Sequence, residues 1–534
     1  NWSFKKSDAQ ITITADKDPG FLITNILPGD FNYDGKLDVL VMGQKDPKNN
    51  ADEEILMRVY LGNGNDAFDE NYIKIPSAKT SQPIPFDYNG NMTTDLLGYM
   101  YENNDESGLF VWKNLYGPEV QTGDLFEVSP IALNETVTKM CKWAEPHSNA
   151  FVDLNDLFVT CQENSNSPVT FQIWTNSKQK GFEFSRAGYL PKGVGQISFA
   201  DMDGDGTIDM VFPVCTNNQC QIHVTYNKQI PLCSKETSKN CRQSANLCVA
   251  DDNFQFDLKA DACLFILDSG FKGTLPVPIR IGDYNLDGYP DLLVISDSGH
   301  VSLLQSIPCN KADCRRTFSK VSTGAAILNS INKATTAAFL DLDEDGTFDI
   351  MVLESRSNSD STARNVQMIH NNYFNDAFFK PFGVNYPGAA FKFTVLDTSG
   401  HKRANQVAQY SQAGYVSLQA PYSLFGLGRT NNYVEELFVG TTRNQTRHFS
   451  SFSGVIPNSQ LIIVPYQPFG VDNPSTWSIK LYIHPGDWIP WVLLTLVSAT
   501  GILAIVVFGL NWAEKREDEL EKRKALHVIN FDAL

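Results

Sequence analysis

Positive charge is in short supply. Against 61 Asp and Glu the chain sets 43 Lys and Arg, for a formal net charge of -18 and a pI near 4.9. Phosphate backbones require a basic footprint, so nucleic acid is not an expected partner. Histidine is scarcer: 8 in 534 residues, scattered singly as at His147, His223 and His300. A lone histidine more often belongs to the core or the surface than to a metal. The motifs of several enzyme chemistries are also missing, with no GxSxG elbow, no phosphate loop and no HExxH, so no catalytic residues are assigned and the chain is not expected to be an enzyme. No long 3.6-residue apolar period occurs before residue 489. No second CxxC or HxxxH accompanies the cysteines, which disfavours zinc. There is no signal peptide at Asn1, so the numbering is expected to start on a processed or incomplete chain.

What is present is rich in Phe, Tyr, Asn and Gly, a composition suited to strands and turns. A chain of 534 residues is too long for one ordinary core, so several domains or a large repeat architecture are expected. One nine-residue pattern, D-x-[DN]-x-D-G-x-x-D, occurs at 30–38, 201–209, 283–291 and 341–349, each time followed by an apolar run such as Val39–Val41 or Met210–Phe212. Side-chain oxygens fall at positions 1, 3, 5 and 9: Asp30, Asn32, Asp34, Asp38; Asp201, Asp203, Asp205, Asp209; Asp283, Asn285, Asp287, Asp291; Asp341, Asp343, Asp345, Asp349. The carbonyl at position 7 (Lys36, Thr207, Tyr289, Thr347) would add another oxygen. Such a set suits Ca²⁺, which takes six to eight oxygens at about 2.3–2.6 Å, better than Mg²⁺ with its tight octahedron. An EF-hand needs a bidentate Glu at position 12; here that position is Val41, Phe212, Val294 and Val352. The loops are therefore read as hairpin sites for structural calcium. A weaker copy, Asp87, Asn89, Asn91 and Asp95, has Met92 where glycine is expected. A sixth, around Asp153, keeps its flanking strands and has lost the loop.

Starts at 30, 87, 153, 201, 283 and 341 are about 48–82 residues apart, a spacing that fits four-stranded propeller blades with variable connections. Strand-like residues 10–14 precede the first loop, and a seventh blade is inferred from them. From about Asn385 strand-like runs continue without metal loops, which suggests a β-sandwich of roughly 100 residues. Ile489 to Leu510 is apolar and uncharged and would span roughly 33 Å as a helix, enough to cross a bilayer. Trp488, Trp491 and Trp512 flank it, and Lys515, Arg516, Lys522, Arg523 and Lys524 follow it. The positive-inside rule then puts the C-terminus in the cytoplasm. The expected division is a propeller over 1–383 with an incomplete first blade, a membrane-proximal sandwich over 384–487, a transmembrane helix over 488–512 and a tail over 513–534.

Ten cysteines point to disulfides in an oxidising compartment. Cys215 with Cys220, and Cys309 with Cys314, each could close a small loop. Cys141–Cys161, Cys233–Cys241 and Cys248–Cys263 are weaker pairings, since spacing does not fix connectivity. Asn1, Asn91, Asn134 and Asn444 head glycosylation triplets; Asn91 doubles as a ligand candidate, and the two roles conflict.

The nine-residue pattern resembles the FG-GAP repeat of integrin α-subunit propellers, of which only calcium binding carries over. Across nearly the whole chain, and most specifically at 383–387, 411–429, 456–461 and the ending Asn530 to Leu534, the sequence resembles the T-cell immunomodulatory protein, or Linkin, family. The two tight cysteine pairs fit it. That resemblance implies an all-β, seven-bladed FG-GAP propeller on a type I membrane protein, linked to cell adhesion and, as a shed ectodomain, to immune modulation. It implies cytoskeletal and AAA+ ATPase partners on the cytoplasmic side. The chain departs from the family in lacking an upstream first loop and in its degenerate loop around Asp153. The expected function is a calcium-stabilised interaction protein of the plasma membrane or a secretory-pathway membrane, its propeller binding another protein. The alternatives are an accessory subunit held in cis through the helix, where Thr500 and Ala504 give a small-residue face, and a glycan-binding propeller.

Overall fold

The computed structural model describes residues 11, 21–44, 54–63, 67–101, 108–117, 123–133, 140–144, 147–151, 156–164, 166–176, 181–216, 219–230, 233, 241–243, 254–256, 258, 263–267, 279–309, 314–342, 345–355, 364–373, 377–382, 388–408, 423–428, 433–443, 445, 447–465, 473–482 and 489–528. It is all-β apart from a short helix at Ala326–Ser330, a 3₁₀ turn and one C-terminal helix. The chain divides into two compact units, Asn1–Tyr482 and Ile483–Leu534.

Six antiparallel sheets follow one another, each adding strands in chain order. The first is Leu22–Gly29, Asp38–Gln44, Glu54–Gly62 and Phe68–Lys79; the second is Ile84–Phe86, Asp95–Gly98, Phe110–Asn114 and Phe126–Pro130; the third is Ala150–Phe151, Leu157–Cys161, Thr170–Asn176 and Phe182–Tyr189. The fourth is Ser198–Ala200, Asp209–Thr216, Gln219–Thr225 and Cys263–Ile266; the fifth is Ile279–Gly282, Asp291–Ile295, Val301–Pro308 and Arg316–Lys320; the sixth has three strands, Ala334–Leu340, Asp349–Ser355 and Arg364–Ile369. Seven were expected. Among the described residues these six account for the repeats before Ala377.

The apolar runs after the loops are explained by burial on both faces. Side chains along a strand alternate between faces. In Asp291–Ile295, Leu292 and Val294 pack with Val211, Ile222 and Val224 of the fourth sheet. Leu293 and Ile295 pack the other way, with Ala337, Phe339 and Val352 of the sixth. The same alternation sends Leu97 toward the third sheet and Leu96 toward the first. Every sheet thus shares an apolar layer with the next. Trp112 is fully buried in one such layer and donates its indole N–H to Pro76 O of the first sheet at 2.9 Å.

Asparagines close the same joints. Asn114, at the end of the second sheet's third strand, donates Nδ2–H to Phe31 O of the first sheet (2.9 Å) and to Thr94 O of its own (3.4 Å). Asn371 does the same between the sixth and fifth sheets, reaching Tyr284 O (2.8 Å) and Phe348 O (3.1 Å).

After the sixth sheet the pairing changes. Ala377–Phe382, ahead of the boundary at 383 read from the sequence, lies between Phe425–Gly428 and Ser459–Val464, the latter parallel to it and flanked by Ser478–Tyr482. A second sheet orders Lys402–Ala408, Ala390–Leu396, Val434–Gly440 and Phe449–Val455. Phe393 and Leu437 of one sheet and Phe425 and Leu461 of the other meet in one apolar cluster.

The C-terminal helix, Ile489–Val528, runs 40 residues with a mean hydropathy of 2.5 over its most apolar window. It is a candidate single span by length and composition. Thr495 and Ser498 donate their hydroxyls to Val492 O and Leu494 O at 2.8 and 2.7 Å, and Thr500 donates to Leu496 O. Hydroxyls satisfied inside their own helix are compatible with an apolar surround.

Three disulfides lie among the described residues: Cys141–Cys161, Cys215–Cys220 and Cys233–Cys241. The Cys309–Cys314 pairing requires correction: Cys309 is free, and Cys314 is disulfide-bonded to another cysteine. Register explains the difference. Cys215 lies directly opposite Cys220, whereas Pro308 opposes Arg316 and Cys309 N–H bonds Arg315 O at 3.1 Å. Cys314 is therefore one residue out of step with Cys309, and a one-residue offset turns a side chain to the other face. Cys248, and with it the Cys248–Cys263 pairing, lies outside the described residues. Peptide mapping without reduction is expected to recover the three bridges named and to find Cys309 alkylated; a Cys309–Cys314 peptide would contradict the register.

Candidate metal centres

Each loop joins the first two strands of its sheet, and its ninth residue opens the second strand opposite the last residue of the first: Gly29 with Asp38, Phe86 with Asp95, Ala200 with Asp209, Gly282 with Asp291, Leu340 with Asp349. That aspartate is a bracket. One oxygen accepts the N–H of position 2, from Phe31, Tyr88, Met202, Tyr284 and Leu342 at 2.7–3.3 Å. The other accepts an N–H from the end of the third strand or just beyond it, from Gly62, Asn114, Asn227, Ser306 and Asn371 at 2.7–2.9 Å.

The first aspartate organises the loop itself. Asp201 Oδ1 accepts from Gly204 and Asp205 N–H (2.9 and 3.1 Å) and Oδ2 from Gly206 (2.8 Å). Asp30 takes Asp34 and Gly35, and Asp283 takes Asp287 and Gly288, in the same way. Position 3 accepts in the first and fifth loops, where Asn32 and Asn285 take the N–H of Asp34 and Asp287. Position 5 accepts the N–H of position 7, with Thr207 and Thr347 adding hydroxyl bonds to Asp205 and Asp345 at 2.6 and 2.7 Å. Lys36 instead places its ammonium 3.0 Å from Asp34, and Tyr289 lies under the Arg316 guanidinium, 3.6 Å from ring centre.

Wrapping six residues around one carboxylate demands left-handed backbone at position 6, met by Gly35, Gly206, Gly288 and Gly346 at φ +78 to +89°. Met92 adopts it too, at +69°. The weaker loop therefore keeps its shape: Asp87 accepts from Gly90, Asn91 and Met92, and Asn89 from Asn91. The Asn91 oxygen accepts from Thr93 N–H and hydroxyl (3.0 and 2.7 Å). Position 4 is also left-handed, at Tyr33 (φ 58°) and Leu286 (φ 57°), which the sequence did not advertise.

The loops differ in how closely they gather acid. In the fourth sheet Asp201, Asp203 and Asp209 bring carboxylate oxygens within 4.8 Å of one another, the one such set among the described residues. The acids of the first loop (Asp30, Asp34, Asp38) and the fifth (Asp283, Asp287, Asp291) do not come that close. Asp343 lies outside the described residues, as do Asn1, Asn134, Asn444 and Asp153.

Burial and like charge act on the clustered acids together. Burial raises the pKa of Asp203 to about 7, the Asp205 charge adds to this, and Arg315 opposes it. Asp201 and Asp209 are pushed well above the carboxylate range by burial and then by their acidic neighbours. Burial lifts Asp38 to about 6 against its three backbone bonds. Arg315, arriving from the fifth sheet, reaches Asp203 and, at 2.9 Å, Asp205. One guanidinium meets two of the loop's four carboxylates, and Asp203 Oδ1 is buried without a partner. That orphaned oxygen, beside Asp201 and Asp209, is what a hard divalent cation would satisfy, so the residues present fit calcium.

Burial lowers the pKa of His147 to about 4, and the neutral ring accepts Asn149 N–H at 3.4 Å. Arg315 and the bracketing asparagines were missed in the sequence; an Asn following Trp112-Lys, Tyr226 or His370 after the third strand's apolar run, in the second, fourth and sixth sheets, was the available signal.

Two expectations follow. Met92→Gly should raise the urea midpoint by relieving about 1 kcal/mol of left-handed strain, read by equilibrium unfolding. Arg315→Gln should raise calcium affinity about tenfold in a calorimetric titration, since a competing charge within about 4 Å is removed; unchanged affinity would count against the site.

A family model described as "ITFG1, C2 domain" matches residues 381–482, and one described as "FG-GAP-like repeat" matches residues 283–352. The chain is 32% identical to the human T-cell immunomodulatory protein over 97% of this chain and 85% of that one. It is 28% identical to the Plasmodium falciparum T-cell immunomodulatory protein homolog over 94% and 79% of the two. With Caenorhabditis elegans protein linkin it shares 23% identity over 73% of this chain and 66% of that one. Among solved structures, an Agrocybe aegerita lectin recognising terminal N-acetylglucosamine aligns with a TM-score of 0.37 at 15% identity, covering 67% of this chain and 83% of that one, too weak a likeness to bear on fold or ligand.

Proposed function

The chain belongs to the T-cell immunomodulatory protein family, and on that premise we propose that it is a calcium-stabilised interaction protein anchored by a single membrane helix. The observation that carries the calcium reading is the Asp201, Asp203 and Asp209 cluster with its unpartnered, buried Asp203 oxygen. Asp201, Asp203, Asp205 and Asp209 would hold the ion there. Asp30, Asn32, Asp34 and Asp38; Asp283, Asn285, Asp287 and Asp291; Asp341, Asp345 and Asp349; and Asp87, Asn89, Asn91 and Asp95 would hold ions in the more open loops. Bound calcium would supply charge neutralisation, with no chemical step.

In this reading the six sheets are blades of an FG-GAP propeller, and the two C-terminal sheets form a β-sandwich of the C2 type, as the match at 381–482 suggests. The helix crosses the membrane with Lys515, Arg516 and Lys522 to Lys524 in the cytoplasm. Disulfides suit an extracellular or lumenal body. The family's names point to recognition of protein partners, in adhesion or immune modulation. The cis-subunit alternative is tested by the same experiment. Chelation of the purified full chain should lower its melting temperature by roughly 5 °C or more, and pull-down from native membranes with calcium present should recover a partner that chelation releases. An unchanged melting temperature would remove structural calcium. A stoichiometric partner from the same membrane would favour the subunit reading over adhesion.

A further inference from the structure

The carboxylates of three loops are met from an unexpected side. Gln406 of the strand Lys402–Ala408 donates its backbone N–H to Asp201 Oδ2 at 3.1 Å, with both residues buried. Thr442, fully buried just after Val434–Gly440, donates its hydroxyl to Asp87 Oδ2. Gly426 lies so close to the fifth loop that a Cβ there would fall 1.9 Å from Asp283 Oδ2, and Gly428 N–H bonds Leu286 O at 2.9 Å. By contrast, the hydrogen bonds described for the Asp30–Asp38 loop stay within the first two sheets. The C-terminal sheets thus sit on the position-1 carboxylates of the second, fourth and fifth loops.

We infer that cation occupancy of these loops and seating of the C-terminal sheets are one linked equilibrium, the sheets being the intramolecular partner of the loaded loops. This rests on the calcium reading above. At the second and fourth loops the contacts to the position-1 carboxylates are neutral, a hydroxyl and a backbone N–H, which complete hydrogen bonding without neutralising charge. At the fifth loop Gly426 is joined by Arg403, which donates to Asp287 O at 3.4 Å and offsets part of the Asp287 charge. Without a cation the buried like charges repel, and the loops relax away from the geometry that Gln406, Thr442 and Gly426 fit. Linkage is reciprocal, so whatever calcium contributes to docking, docking returns as calcium affinity. The surface over these three loops is then already taken by the protein itself, and an outside partner must use another one.

The test is hydrogen–deuterium exchange on the full chain in detergent, with calcium or with chelator. Chelation should speed exchange about tenfold in peptides covering 402–408 and 425–428, together with the loops at 201–209 and 283–291. Peptides covering 449–455 should not change. If the loops lose protection and 402–408 and 425–428 do not, calcium binds but the coupling is overturned. If no loop responds, the first loop included, the calcium reading itself fails and takes the coupling with it. The reciprocal arm is Gly426→Ala, which should lower calcium affinity about tenfold by displacing Asp283. Should that variant not fold, Thr442→Val removes one hydroxyl donor at nearly constant volume, and unchanged affinity there overturns the coupling at the second loop.

Discussion

An aspartate that accepts one backbone N–H from its own loop and one from the third strand fixes three pieces of chain at a single point. Asp38, Asp95, Asp209, Asp291 and Asp349 all do this. With the bracket set, the loop must pass over the strand ends, and the position-1 carboxylate inside it collects the N–H groups of positions 4 to 6. The joint asparagines act from the same corner: where Asn114 and Asn371 bond this aspartate with their backbone, their side chains reach the neighbouring sheet. A bond that organises one sheet therefore also sets its orientation to the next.

Much of this was legible. The acids at positions 1 and 9, the glycine at position 6 and the apolar run beyond describe a short-range geometry, and short-range geometry is written in consecutive residues. So is Cys215–Cys220, two cysteines facing each other across a tight hairpin. What escaped depends on register or on distant chain. Cys309 and Cys314 have the same spacing but a different phase. Met92 was read as damage to its loop, although a residue other than glycine can hold left-handed backbone when the surrounding hydrogen bonds require it. Arg315 is more than a hundred residues from the acids it meets, and no local pattern announces it. Gln406, Gly426 and Thr442 are further still, in a region that read as a separate domain below the repeats.

Charge arrangement gives the fourth loop its particular standing. Three of its four acids, Asp201, Asp203 and Asp209, are gathered more tightly than those of the first and fifth loops, and a neighbouring sheet sends an arginine to Asp203 and Asp205. Leaving a carboxylate oxygen buried and unpartnered is costly. Its survival at Asp203, among groups that are otherwise bonded, marks where the polypeptide's own means of satisfying the cluster end.

The shared apolar layers have a bearing on how such a chain can change in length. Because Leu292 and Leu293 serve different neighbours, deleting a whole sheet would expose two layers at once, and shortening a second strand by one residue would exchange the two faces. Growth is tolerated where a strand has only one side to satisfy, at the outer turn. There the fourth sheet carries residues 226–262 between its third and fourth strands before Cys263–Ile266 resumes the pairing. Differences in length among members of the family should collect at these outer turns, while the spacing from loop aspartate to third strand stays nearly fixed.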